Sequence, residues 1–154
     1  MKRILVVEDE RDIRDVLTET LHRWGYETQT AENGKEGLDA FLAGDFSMVI
    51  TDIRMPIMDG LEMLKQIKRK KPLTPIVVAT GYPSVDSAVD CLAEGADFYI
   101  VKPINMDDLK VKISKSFAQA QVQAKLLASE RLNRLLLVSI PLWIVLGWLV
   151  SRLF

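Results

Sequence analysis

The 154-residue chain has one cysteine and one histidine. A single thiol excludes an internal disulfide and any cysteine cluster for a metal, and it fits a reducing compartment. Cys91 stands among Ala88, Val89 and Leu92 on a predicted helix, where a small buried hydrophobe is expected. His22 falls on the polar side of the first predicted helix with no ATP-binding motif nearby, so it receives no kinase role. Neither a P-loop nor a serine triad occurs. Lys2 and Arg3 precede an apolar run that stops at Glu8, too short for a signal-peptide core. Net charge is only −1, but it is unevenly spread. Residues 1–113 hold 15 Lys/Arg against 20 Asp/Glu, whereas residues 114–154 hold 5 Lys/Arg and only Glu130. A mildly acidic body with a basic, apolar tail argues against direct nucleic-acid binding. The cations of Lys68–Lys71 close a predicted helix, where they suit the helix dipole and water.

What the chain does have is alternation. Short apolar runs alternate with amphipathic stretches, the pattern of βα units around a parallel sheet, and the predicted strands are 3–7, 27–31, 47–51, 76–80 and 97–101. Ile13, Val16, Leu17, Leu21 and Trp24 recur at helical spacing, and Gly25 ends that helix. Asn33 with Glu36 resembles a capping box, followed by Leu38, Phe41 and Leu42 as an apolar face. Leu61, Leu64 and Ile67 mark a third helix. Ser84 caps a fourth that carries Val85, Ala88, Val89 and Leu92. The predicted class is α/β.

A fifth helix is expected to start near Asn105, because neither Gly nor Pro occurs from there through Ile140. Those residues would extend roughly 54 Å as one helix at about 1.5 Å per residue, so its second half is expected to project beyond the body. The run Leu135–Ser151 contains no charge and is apolar on all faces. Arg131 and Arg134 precede it and Arg152 follows it, which suits a C-terminal transmembrane anchor with the body facing the cytoplasm. A buried core or oligomerisation helix is the alternative, and Pro141 with the mid-span Trp143 also leaves a re-entrant or membrane-surface segment.

The chemistry lies at the strand ends. Glu8 and Asp9 follow the first apolar run, Asp52 the third, Thr80 closes the fourth, and Lys102 follows the fifth. In a parallel sheet these groups converge on the edge where open α/β sheets bind ligands. Three carboxylates there repel one another, and a hard divalent cation relieves that repulsion. The constellation reads as a Mg²⁺-assisted phosphoryl acceptor.

LVVEDE at 5–10, TDIRMPIMDG at 51–60, VVATGY at 77–82 and YIVKP at 99–103 together resemble a response-regulator receiver domain, in order and spacing. The resemblance covers roughly residues 2–118. It implies a flavodoxin-like doubly wound sheet of order 2-1-3-4-5. It makes Asp52 the phosphoryl acceptor and Asp9 a direct Mg²⁺ ligand, with Glu8 acting mainly through water and the Arg54 carbonyl completing the set. Lys102 and the Thr80 hydroxyl would meet the phosphoryl oxygens. Thr80 and Tyr99 form the implied switch, and Lys102–Pro103 is expected to be cis. The implied donor is a sensor histidine kinase or a phosphotransfer protein.

The expected organisation is a receiver at 1–118, a helical linker at 119–134 and a membrane anchor at 135–154. On this reading the chain is a receiver without an appended output domain, acting at the cytoplasmic membrane through an unknown partner, and not a conventional enzyme. Two rivals stand beside it. One is a membrane scaffold that takes no phosphate. The other is an aspartyl phosphohydrolase of the haloacid-dehalogenase type, disfavoured because Arg54 occupies the place of that family's second Asp.

Overall fold

The computed structural model describes residues 2–153, with side chains described through residue 134. Ten elements alternate: β1 (Arg3–Val7), α1 (Arg11–Arg23), β2 (Glu27–Ala31), α2 (Gly34–Ala43), β3 (Met48–Thr51), α3 (Gly60–Lys70), β4 (Ile76–Thr80), α4 (Val85–Ala93), β5 (Phe98–Val101) and α5 (Met106–Leu153). All strand pairs are parallel, and the order is β2-β1-β3-β4-β5. This is the flavodoxin-like arrangement. Its central strands are buried on both faces, as near-continuous Val/Ile/Leu runs require.

Two apolar layers enclose the sheet. Leu5, Val7, Val49 and Val78 pack with Leu38, Phe41, Met63, Leu64 and Ile67 on one face. Ile4, Val6, Ile50 and Val77 pack with Leu17, Leu21, Leu109, Ile113 and Phe117 on the other. The helix starts have local causes. Asn33 Oδ1 accepts from Glu36 N at 2.9 Å, Asp59 Oδ1 from Glu62 N at 2.7 Å and Asn105 Oδ1 from Asp108 N at 3.1 Å. Ser84 and Ser87 form a full capping box on α4.

Several expected core positions are exposed instead. On α4 only Cys91 is fully buried, whereas Val85, Val89 and Leu92 face solvent. Nine residues make two and a half turns, and the Cys91 side is the stripe that reaches the sheet. Val16 and Leu42 are also half exposed, while Arg14 and Thr20 take places on the buried side of α1.

Two compact units divide the chain, Met1–Ala120 and Gln121–Phe154. Within the second, residues 121–134 are helical and exposed. The predicted anchor at 135–154 lies outside the residues whose side chains are described. Among the described residues no helix is long and apolar enough to cross a membrane. The expectation of a spanning segment therefore receives no support from the fold.

Candidate functional site

The register brings the strand ends together. Val7 pairs with Ala31 and Thr51, Thr51 with Val78, and Thr80 with Val101. Each following residue is then tied to its neighbour strand. Glu8 N donates to Ala31 O, Asp52 N to Val7 O and Lys102 N to Thr80 O, at 2.9–3.1 Å. Glu8, Asp52 and Lys102 thus leave the sheet along one edge.

Asp52 is buried and fully engaged. Its Oδ2 accepts from Lys102 Nζ at 2.7 Å, and its Oδ1 accepts from Ile53 N at 2.5 Å and Arg54 N at 3.4 Å. Lys102 Nζ also lies 2.8 Å from Glu8 Oε2 and 3.7 Å from Glu10 Oε1. Burial pushes the Glu8 carboxyl above its usual pKa, and the nearby Asp52 charge adds to this against the pull of Lys102. For Lys102, burial works toward a lower pKa. The hydrogen bonds and charges of Asp52 and Glu8 outweigh it and hold the ammonium above its usual value.

The floor of the site admits nothing larger than it holds. A Cβ on Gly60 would stand 1.8 Å from Asp52 O, and Thr51 Oγ1 donates to that carbonyl at 2.8 Å. Thr80 is fully buried at the end of β4, and its Oγ1 accepts from Tyr82 N at 3.2 Å. Tyr99 is part-buried, with its hydroxyl 2.8 Å from Ser87 Oγ at the start of α4. The Arg54 guanidinium stacks over the Tyr82 ring at 4.6 Å. Lys102–Pro103 is cis.

One expected group is displaced. The carboxylates whose oxygens lie within 4.8 Å of one another belong to Glu8, Glu10 and Asp52, not Asp9. The backbone is still extended at Glu10, and strand-like alternation sets residues 8 and 10 on one side. Glu10 occupies the helix N-cap position yet makes no side-chain cap bond, which excludes simple capping as the use of its carboxylate. Arg14 is a further residue that the strand-end pattern does not single out. Its signal was a cation at the helical spacing of the buried Leu17 and Leu21.

Three carboxylates here share one ammonium, leaving uncompensated negative charge among hard oxygen donors. That donor set fits Mg²⁺.

Residues 4–114 match the family model of the response regulator receiver domain. The chain belongs to that family. Members of the receiver family take a phosphoryl group on an aspartate, and Mg²⁺ is consistent with the family. The transcriptional regulatory protein ZraR of Klebsiella oxytoca is 40% identical over 119 residues, covering 77% of this chain and 27% of ZraR. The DNA-binding transcriptional regulator NtrC of Escherichia coli is 37% identical over 120 residues, 78% of this chain and 26% of NtrC. The chain spans about a quarter of the length of these curated relatives. Among solved structures, the response regulator TrrA of Thermotoga maritima, in complex with Mg²⁺ and BeF, is 46% identical with a TM-score of 0.70. That alignment covers 75% of this chain and 99% of TrrA. A CheY-like receiver from Methanospirillum hungatei aligns with a TM-score of 0.77 at 35% identity, over 80% of this chain and 98% of that one.

Proposed function

We propose that this receiver accepts a phosphoryl group on Asp52 from a histidine kinase or a phosphotransfer protein, and signals through a partner. The observation that carries the reading is the Lys102 ammonium, 2.7 Å from Asp52 Oδ2 and 2.8 Å from Glu8. A buried carboxylate is held in place while a cation waits beside it for the charge that arrives.

In the transfer, an Asp52 oxygen forms the new P–O bond as the P–N bond of the donor's phosphohistidine breaks, and the nitrogen keeps the bonding pair. Little covalent help is needed, so positioning and charge neutralisation do most of the work. Lys102 would turn from the carboxylates to the phosphoryl oxygens, and the Thr80 hydroxyl would donate to one of them. Mg²⁺, held by Asp52 with Glu8 and Glu10, would neutralise part of the phosphoryl charge. The family resemblance adds the Arg54 carbonyl, and it places Asp9 where the geometry brings Glu10. Such a chain assists its own phosphorylation and is not a conventional enzyme.

The response would run through Thr80 and Tyr99. Thr80 moves toward the phosphoryl group, Tyr99 turns into the space vacated, and the face formed by α4, β5 and the start of α5 repacks. Exposed Val85, Val89, Val101 and Val111 lie on those elements, which supports a protein partner there.

The sequence adds a tether, in which residues 135–154 hold the domain at the cytoplasmic face of the membrane. It rests on the charge-free run and its flanking arginines alone. Acetyl phosphate with Mg²⁺ tests the acceptor. Mass should rise by one phosphoryl group and the Tyr99 environment should shift, and both changes should vanish in Asp52→Asn. A chain that takes no phosphate and binds no beryllofluoride is a scaffold. Fractionation with and without residues 135–154 tests the tether.

A further inference from the structure

Arg14 is buried on α1, with its side chain only 10% exposed, and it makes no contact with the acceptor. Taking a guanidinium out of water is costly, so its partners should show what it is there to hold. Its Nη1 donates to Glu8 O at 2.6 Å and to Asp9 O at 3.3 Å. Its own backbone N–H donates to Glu10 O at 3.0 Å. The guanidinium thus holds the carbonyls of two successive acidic residues, Glu8 and Asp9, and leaves their carboxylates free to face elsewhere. The rigid fork of donors makes this possible, because a planar guanidinium can serve several acceptors at fixed angles.

The other end of the fork is anchored too. Nη2 donates to Glu32 Oε1 at 2.8 Å, on the loop after β2. The same two loops are joined by Glu8 N donating to Ala31 O at 3.1 Å. The β1–α1 turn is therefore clamped against the β2–α2 turn from both sides of the peptide that carries Glu8. Glu32 also offsets the guanidinium charge, so at the acidic edge Arg14 supplies geometry more than field.

We infer that Arg14 is a positioning residue for the divalent-cation site, fixing the turn that presents Glu8 and Glu10 beside Asp52. The inference rests on the Mg²⁺ reading of that cluster. Groups that orient metal ligands without touching the metal carry roughly tenfold or more in affinity. Arg14 is expected to do the same through the backbone.

The test must separate position from charge, since losing a cation alone favours Mg²⁺. Arg14→Met with Glu32→Gln removes the clamp at constant net charge. In the full chain, calorimetric titration with Mg²⁺ alone should show affinity roughly tenfold weaker than the unaltered protein. Equal affinity within about twofold in a folded double variant overturns the proposal. Arg14→Lys, which keeps the charge and loses the planar fork, should fall between the two and guards against a misfolded double variant. Affinity in Arg14→Lys equal to that of the unaltered chain also overturns it.

Hydrogen exchange in metal-free protein supplies a second readout. The Glu8 amide should lose protection by roughly tenfold relative to amides of β4. A uniform loss across the sheet marks a merely structural role and overturns the proposal. An unaltered chain that binds no Mg²⁺ defeats the metal reading instead. Local loss at Glu8 alone would then still support the clamp.

Discussion

Lys102 reaches Asp52 across the end of a strand that separates them. β4 lies between β3 and β5, yet Lys102 Nζ stands 2.7 Å from Asp52 Oδ2 and hydrogen-bonds Glu8 on β1's far side of that carboxylate. One ammonium therefore reaches from the end of β5 to the end of β1, and it stands in the place of positive charge that a phosphoryl group or a divalent cation must share. Lys102→Met is expected to slow phosphorylation by acetyl phosphate by about 100-fold, the scale for losing one donor to developing charge. Mg²⁺ should bind at least as tightly, because the carboxylates lose a competing cation. Rates by mass spectrometry and affinity by calorimetry check both, and an unchanged rate would remove Lys102 from the proposed role.

Gly60 meets the acceptor from below. Because an added Cβ would lie 1.8 Å from the Asp52 carbonyl oxygen, backbone must shift rather than a side-chain tip. Gly60→Ala is expected to cost about 3 kcal/mol, the upper range for overpacking. It should also misplace the acceptor, so that the folded fraction phosphorylates slowly. Urea denaturation and acetyl-phosphate labelling of the same sample measure the two effects, and a cost below about 1 kcal/mol contradicts the contact.

The inner strands were legible because they are buried on both faces and read as near-continuous apolar runs. β1, β2 and β4 coincide with the predicted strands at 3–7, 27–31 and 76–80. Convergence of Asp52, Glu8 and Lys102 followed from parallel topology alone, since consecutive strands of such a sheet all end on one edge. Residue-level aim at the first loop was not legible. Whether Asp9 or Glu10 joins the cluster depends on how far the chain stays extended after Val7, and an acidic triplet looks the same in either case. The exposed side of α4 misled for another reason. Val85, Val89 and Leu92 have helical spacing, but periodicity cannot distinguish a face buried against the sheet from an apolar face left open.

Lys68 gives a pH dependence away from the acidic cluster. It is half-buried beside Asp97, 3.7 Å from that carboxylate, and the loss of water lowers its pKa despite the attraction. The folded state then binds protons less readily than the unfolded chain. Below the folded pKa the full penalty for a buried ammonium is present. It is relieved as pH rises through that pKa and is gone above the usual lysine value of about 10.5. Stability of the unaltered chain relative to Lys68→Met should therefore increase as pH rises toward the usual lysine value of about 10.5 and level off above it. Paired urea titrations across that range measure the difference, and a flat or falling curve contradicts the sign.

Dephosphorylation needs a water aligned with the Asp52–phosphoryl bond, and the flanking side chains decide how well one is held. Arg54 and Tyr82 sit two residues past Asp52 and Thr80, and neither offers a carboxylate or amide to orient that water. They engage each other instead, with the guanidinium 4.6 Å from the ring centroid. A phosphoryl group on Asp52 is therefore expected to persist for minutes or longer. Arg54→Asn supplies an amide and breaks the stack, and should shorten the lifetime by roughly tenfold or more, a modest share of what positioned proton acceptors contribute. Phosphate release after removal of acetyl phosphate reads both. Release within seconds from the unaltered chain, or an unchanged lifetime in Arg54→Asn, would show that water reaches the bond by a route these two side chains do not control.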